Sequence, residues 1–265
     1  MSKFLLTISK NNKVINTDTF KKEFNRYSDK NIDLLFKKND PRFTKSFTES
    51  IFVFAFSKVE NFNELKEEFG LKNINTDADL ITGLYRAHRT DLFNYLKGSF
   101  SLIIYDNLTG EILAGSDHHG FLPLYFYQDK KSITFTSTPK FLFQESLLKK
   151  ELDQEILLDY LVSGLPRKNR TIYKNVNHIC GNSYITTSKK FEKYKIEKYF
   201  SFKSKPSFSK NIINETKDIF LKTISSKLHK TDKKIACMLS GGLDSSSIVC
   251  SIDHLNKKNK LNKKL

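Results

Sequence analysis

Short apolar runs separated by polar turns dominate the first two-thirds of the chain. Phe4 to Ile8 and Ile51 to Phe56 predict strands, the second a continuous run of the kind buried on both faces. Between them lies a polar stretch with turn signals at Asn11-Asn12 and Asp40-Pro41. A helix is predicted over 77–97: Leu80, Ile81, Leu84, Tyr85, Leu92, Phe93 and Leu96 share one face. Thr76 stands at its N-cap, Asp77 and Asp79 complement the dipole in its first turn, and Gly98 stops it. Four closely spaced runs follow, Phe100 to Tyr105, Ile112 to Ala114, Leu124 to Tyr127 and Ser132 to Thr136, and predict antiparallel strands. A helix over 154–162 and strands over 183–186 and 191–196 complete this part.

The pattern then changes. Residues 201–210, with Ser, Lys and Pro206 and no periodicity, read as a linker. Ile212, Ile213, Thr216, Ile219, Phe220, Ile224 and Leu228 mark an amphipathic helix. An apolar strand is predicted over 234–240, then a glycine turn, then a helix opening at Leu243 and running to His254. Helix, strand, turn and helix are the start of a parallel α/β sheet, whose ligand sites lie at the carboxyl ends of strands. About 55 residues cannot bury both faces of such a sheet, so the chain is expected to stop inside its second domain.

Composition narrows the class. The 265 residues are 38% hydrophobic with 23 Phe and 11 Tyr, enough for a sizeable core. No apolar run approaches the roughly 20 residues of a spanning helix, and polar residues cut off the apolar start too early for a signal peptide. Three cysteines, Cys180, Cys237 and Cys250, lack CxxC spacing and fit a reducing compartment, hence the cytoplasm. Cys237 and Cys250 are expected in the core. The formal charge of +16 admits a nucleic-acid partner, but the lysines spread along the whole chain and read as a solvated surface. No nucleic-acid or membrane partner is expected, and a homodimer is left open.

The chemistry lies in Ser240-Gly241-Gly242-Leu243-Asp244-Ser245-Ser246. Two glycines let the backbone turn and approach an anion, and the helix beyond presents unsatisfied N–H groups to the same point. The three serines add hydroxyl donors. Asp244 would repel bare phosphate and makes sense as a magnesium ligand. No lysine follows the glycines, so this is not the phosphoryl-transfer P-loop.

This loop resembles the pyrophosphate loop of the asparagine synthetase family, which adenylates a carboxylate with ATP, releases pyrophosphate, and lets an amine attack the acyl-adenylate. The resemblance implies pyrophosphate held by Ser240–Ser246, Leu239 beside the nucleotide, and Mg²⁺ at Asp244. ATP and Mg are the implied cofactors, and a small carboxylate with an amine or ammonia the implied substrates.

Upstream, Gly98-Ser99-Phe100-Ser101-Leu102-Ile103-Ile104-Tyr105-Asp106 and Asp117-His118-His119-Gly120-Phe121-Leu122-Pro123-Leu124-Tyr125-Phe126 are similar to strand and turn segments of the same family. Thr171-Ile172-Tyr173 and Gly181-Asn182-Ser183-Tyr184 extend the likeness. The resemblance implies a glutaminase-like domain over 1–200, an α+β fold of two stacked antiparallel sheets flanked by helices, of the N-terminal-nucleophile hydrolase kind. A linker at 201–210 and an incomplete Rossmann-like α/β ATP-pyrophosphatase domain over 211–265 follow. In the family an N-terminal cysteine attacks glutamine, its own amine acting as base. Ser2 stands there instead, and Ala55-Phe56-Ser57 stands in place of the family's Asn-Gly-Glu. No arginine-bearing strand precedes it for the glutamine carboxylate. Asp77 matches the aspartate that holds the glutamine amino group, a residue that a first-turn helix acid explains equally well. His118-His119 is expected to be structural rather than metal-binding. Related readings are a β-lactam-synthetase- or lasso-cyclase-like enzyme, or a non-catalytic glutaminase-like fold.

Overall fold

The computed structural model describes residues 3–10, 23–144, 146–164, 169–188, 190–201, 211–229 and 235–258. The chain divides into two compact units, Met1–Phe202 and Lys203–Leu265.

The first unit is two stacked six-stranded sheets, antiparallel at every pairing. One sheet contains β1 (Phe4–Ser9), β2 (Phe24–Asp29), β3 (Ile32–Lys37), β8 (Leu124–Gln128), β9 (Ser132–Thr136) and β10 (Asn177–Ile179), in the order β10-β8-β9-β1-β3-β2. The other contains β4 (Phe43–Phe47), β5 (Ile51–Val59), β6 (Gly98–Asp106), β7 (Glu111–Ser116), β11 (Ser183–Ser188) and β12 (Tyr194–Lys198), in the order β12-β11-β7-β6-β5-β4. The inner faces close on one apolar layer, in which Phe54, Phe56, Ile103 and Tyr105 meet Phe4, Leu6, Leu34, Phe126 and Phe135. The outer face of the β5–β6 sheet, with Val53, Ala55, Leu102 and Ile104, packs against α1 (Phe62–Glu68), α2 (Asp77–His88) and α3 (Leu92–Tyr95). That double burial is why β5 reads as a continuous apolar run rather than an alternating one. The opposite sheet is backed by α4 (Lys140–Gln144) through Phe141 and Leu142, while α5 (Gln154–Ser163) buries only Ile156.

Three sequence expectations change in this unit. The helix predicted over 77–97 is two helices. Arg89 adopts φ 50°, α2 ends at His88, and a 3-10 turn at Arg89–Asp91 restarts the chain as α3. The apolar stripe skips from Tyr85 to Leu92, so the exposed segment between has no burial to keep it helical. Arg89 is instead fastened, its Nη1 donating to Asp106 Oδ2 at 3.2 Å and its guanidinium lying 4.8 Å from the centre of the Tyr85 ring. The polar stretch before residue 51 contains β2, β3 and β4. Its strand β2 sits at a sheet edge and buries only Phe24, which is why it lacked an apolar signal. The strand expected over 191–196 begins at Tyr194, because Phe191 occupies a turn with φ 53°.

In the second unit, α6 (Ile212–His229) packs Leu221, Ile224 and Leu228 against Ile252 and Leu255 of α7 (Leu243–Lys257), with Cys237 alongside. Residues 235–240, expected as a strand, carry no β-ladder: a strand needs a neighbour for its backbone groups, and none stands beside them among the described residues. Cys250 is exposed rather than in the core, because the buried face of α7 runs through Ile252 and Leu255 and Cys250 lies off it. No helix among the described residues is long and apolar enough to cross a membrane.

Candidate functional site

The glycine loop is built by a change of backbone hand. Gly241 has φ +81°, a region open to glycine at no steric cost, and a Cβ there would meet nothing within 4 Å. Gly242 is the N-cap of α7 and supplies no capping side chain. The first N–H groups of the helix therefore have neither an intrahelical acceptor nor a cap. Ser240, Gly241, Gly242, Leu243 and Asp244 are all exposed, Leu239 is 62% exposed and Leu243 83%. The serines brace the turn. Ser245 Oγ donates to the Gly242 carbonyl at 3.1 Å, accepts from the Ser240 N–H at 3.3 Å, and lies 3.1 Å from Ser240 Oγ. Ser246 N–H closes the first helical turn on the Gly242 carbonyl at 3.1 Å. The result is an exposed turn that gathers hydroxyl and N–H donors, with one carboxylate, Asp244, beside them. One carboxylate is what Mg²⁺ takes from a protein when phosphates and water supply the rest of its octahedron, so this donor set fits that ion.

In the first unit, Asp77 opens α2 facing β5. Its Oδ2 accepts from Ser57 Oγ at 2.7 Å and from the Val59 N–H at 3.0 Å. The next N–H, of Ala78, goes to Thr44 Oγ1 of β4 at 3.2 Å. Thr76 and Asp79 form a reciprocal capping box, each side chain accepting from the other's backbone N–H. Burial pushes the Asp79 carboxyl up, but hydrogen bonds from Thr76, Ser46 and the Asn75 and Thr76 backbone outweigh it and hold the group below its usual value. Ser2 lies outside the described residues. Two residues further along, Phe4 is buried, and its ring stacks on Phe56 with centroids 4.1 Å apart and planes 12° apart. Phe43 lies 4.8 Å from Phe56 and 4.2 Å from Phe36. The sequence reading missed this ring cluster. No local pattern in the sequence links these four rings, which come from four different strands.

The Asp117–His118–His119 turn is a corner held by a buried carboxylate. Asp117 is 2% exposed, and its carboxylate accepts N–H bonds from Phe100 (3.1 Å), His119 (2.9 Å) and Phe121 (3.1 and 3.2 Å). Gly120 and Gly181 pass so closely here that a Cβ on Gly181 would lie 2.6 Å from the Gly120 nitrogen. Beyond the corner, Cys180 Sγ lies 3.9 Å from His178 Nδ1. Burial pushes the thiol up and the imidazole down, which leaves both neutral and the pair without an activated nucleophile.

The two units, a helix-flanked antiparallel sandwich and a segment with a serine- and glycine-rich loop, each match a known family. Residues 33–200 match the glutamine amidotransferase domain family and residues 215–262 the asparagine synthase family. The chain thus belongs to the glutamine amidotransferase domain family, in the form carried at the N-terminus of asparagine synthetases. It is 29% identical over 199 residues to a protein described as asparagine synthetase (glutamine-hydrolysing) 2 of Methanocaldococcus jannaschii, covering 72% of this chain and 38% of that one. It is 22% identical over 213 residues to asparagine synthetase (glutamine-hydrolysing) 2 of Bacillus subtilis, covering 75% and 28%. This chain therefore spans well under half the length of these relatives. Among solved structures, the glutamine phosphoribosylpyrophosphate amidotransferase of B. subtilis superposes with a TM-score of 0.45 at 10% identity, over 75% of this chain and 43% of that one.

Proposed function

We propose that this chain belongs to an ATP-dependent amide ligase of the asparagine-synthetase type. A carboxylate oxygen attacks the α-phosphorus of ATP, pyrophosphate leaves, and an amine nitrogen displaces AMP from the acyl-adenylate with loss of a proton. The observation that carries this reading is the loop at Ser240–Ser246, where Gly241 at positive φ delivers the chain to an uncapped helix N-terminus ringed by hydroxyls. Such a cluster of oriented donors stabilises a departing polyanion, which is where charge grows in this reaction. Asp244 is the residue to hold Mg²⁺, whose charge would join the nucleotide to the loop. The Ser240 and Ser245 hydroxyls would turn from one another toward phosphate oxygens, and Leu239 would lie against the nucleotide. In the same reading 1–200 is the amidotransferase-like domain, 201–210 a linker and 211–265 part of the ATP-binding domain. The carboxylate and the amine are small molecules, and asparagine formation is the reference case.

The test is exchange of labelled pyrophosphate into ATP by the full-length protein, screened over candidate carboxylates. Carboxylate-dependent exchange is expected, with Asp244→Ala reducing it to background while leaving the circular dichroism unchanged. ATP binding without exchange for any carboxylate removes the ligase reading. Undiminished exchange in Asp244→Ala removes that residue from the chemistry.

A further inference from the structure

The second unit carries a groove that the glycine loop does not account for. Between them, α6 and α7 leave an open cavity of about 580 Å³. Its floor is apolar: Leu255 is buried, and Leu221 packs on the same cluster. Its walls are charged. Lys217 and Lys222 line it from α6 and Lys258 from the end of α7, together with the half-buried His254 and Ser225. Asp218 is the one carboxylate in the lining. None of the three lysine ammonium groups is ion-paired among the described residues, whereas Lys257, next to Lys258, is held by Asp253 at 2.7 Å. The groove is also separate from the loop: Asp244 and His254 are ten residues apart on α7, roughly 15 Å at the helical rise.

Three cations beside one anion repel one another, and an anion among them removes that repulsion. The leucines beneath keep water off one side of the contact, which strengthens the attraction. Lysine offers a point charge that meets a phosphate from any direction. The planar fork that grips a carboxylate is arginine's, and the lining holds none. The volume lies in the range of small-ligand pockets, about 300–1,000 Å³. The carbonyl end of α7 disfavours an anion, so Lys217 and Lys222, clear of both ends of α6, must carry most of the attraction. We propose that this groove is a second anion site. It takes a small phosphorylated molecule carrying two or more negative charges, bound independently of the nucleotide loop.

The experiment acetylates the intact protein with acetic anhydride over a series of inorganic pyrophosphate concentrations, without magnesium, and reads each lysine by mass spectrometry. Lys217 and Lys222 should be protected together and saturably, while Lys38 and Lys72, exposed on the first unit, keep their reactivity. Because protection is read residue by residue, its midpoint reports this groove and not the loop. Lys217→Gln should raise the midpoint for Lys222 by roughly twofold to fivefold, the weight of one solvent-exposed charge contact. Asp218→Asn, which removes the opposing charge, should lower it. These side chains are exposed, so the variants keep the helix pair. Asp244→Ala should leave the midpoint unmoved; a shift there would merge the groove with the loop and overturn the proposal. Protection absent at millimolar pyrophosphate, or matched by sodium chloride of equal ionic strength, overturns it as well. Loss of pyrophosphate exchange would defeat the ligase reading alone, since the labelling needs neither ATP nor turnover.

Discussion

Asp117→Asn is the sharpest test of how the first unit is held together, because it changes one atom and nearly no volume. The carboxylate serves three backbone N–H groups with two oxygens: Phe100 on Oδ2, His119 on Oδ1, and Phe121 shared between them. An asparagine keeps one acceptor oxygen and turns the other position into a donor. With the NH₂ at the Oδ2 position, the buried Phe100 N–H faces a donor; with the amide flipped, the His119 N–H does. Either orientation strands one N–H in a site that is 2% exposed. Leaving a buried donor unmatched costs about 1–3 kcal/mol, more when the lost partner was charged. For a unit of this size each kcal/mol lowers the midpoint by roughly 2–4 °C, so a fall of about 2–12 °C is expected. Thermal unfolding by near-ultraviolet circular dichroism measures it, with urea titration at constant slope as the check. Asp129→Asn is the control: its Oδ1 accepts from the Lys131 N–H and from the Ser132 N–H and Oγ close to solvent, where water can replace a bond the amide gives up. A fall under about 1 °C for Asp117→Asn, or equal falls for both variants, refutes the reasoning.

Gly181→Ala should cost about 1–3 kcal/mol by overpacking, since the new methyl would lie 2.6 Å from both the Gly120 nitrogen and the His119 carbonyl carbon; wild-type stability in a urea titration refutes it. Asp79 predicts a pH dependence. Its folded-state carboxyl is held below the unfolded value, so its contribution is full above that value and is lost as pH falls through it toward the folded one. The stability gap between wild type and Asp79→Asn should therefore narrow below about pH 4, and parallel curves from pH-dependent urea titrations would count against it.

The fold was legible where burial leaves a period. The strands at Phe100, Ile112, Leu124 and Ser132 lie where the apolar runs put them, because both faces of their sheets are covered. The Thr76 cap was readable from residue type alone. What escaped is instructive. Strand β2 carries Asn, Arg, Ser and Asp because it is a sheet edge, and its Arg26–Asp33 pair, at 2.7–2.8 Å, is a tertiary contact that no period announces. The break at Arg89 depends on partners at Tyr85 and Asp106, one of them seventeen residues away. Within the candidate loop, the glycines and the helix start were plain in the sequence, while the Ser240–Ser245 brace needs coordinates. The ring cluster escaped for the same reason: Phe4, Phe36, Phe43 and Phe56 share no local pattern and meet only once two sheets have closed.

The placement of β1 has a consequence for synthesis. This strand lies in the middle of its sheet, between β3 and β9, with a hydrogen bond from the Phe4 N–H to Ser137 spanning 133 residues. On a ribosome, β3 emerges soon after β1 and covers one side. The other side waits for β9, roughly 95 residues later, which at about 5–20 residues per second is on the order of 5–20 s. For that interval a largely apolar strand edge stands open beside the exit tunnel, and the nascent chain has reason to meet a chaperone before its sheet is whole.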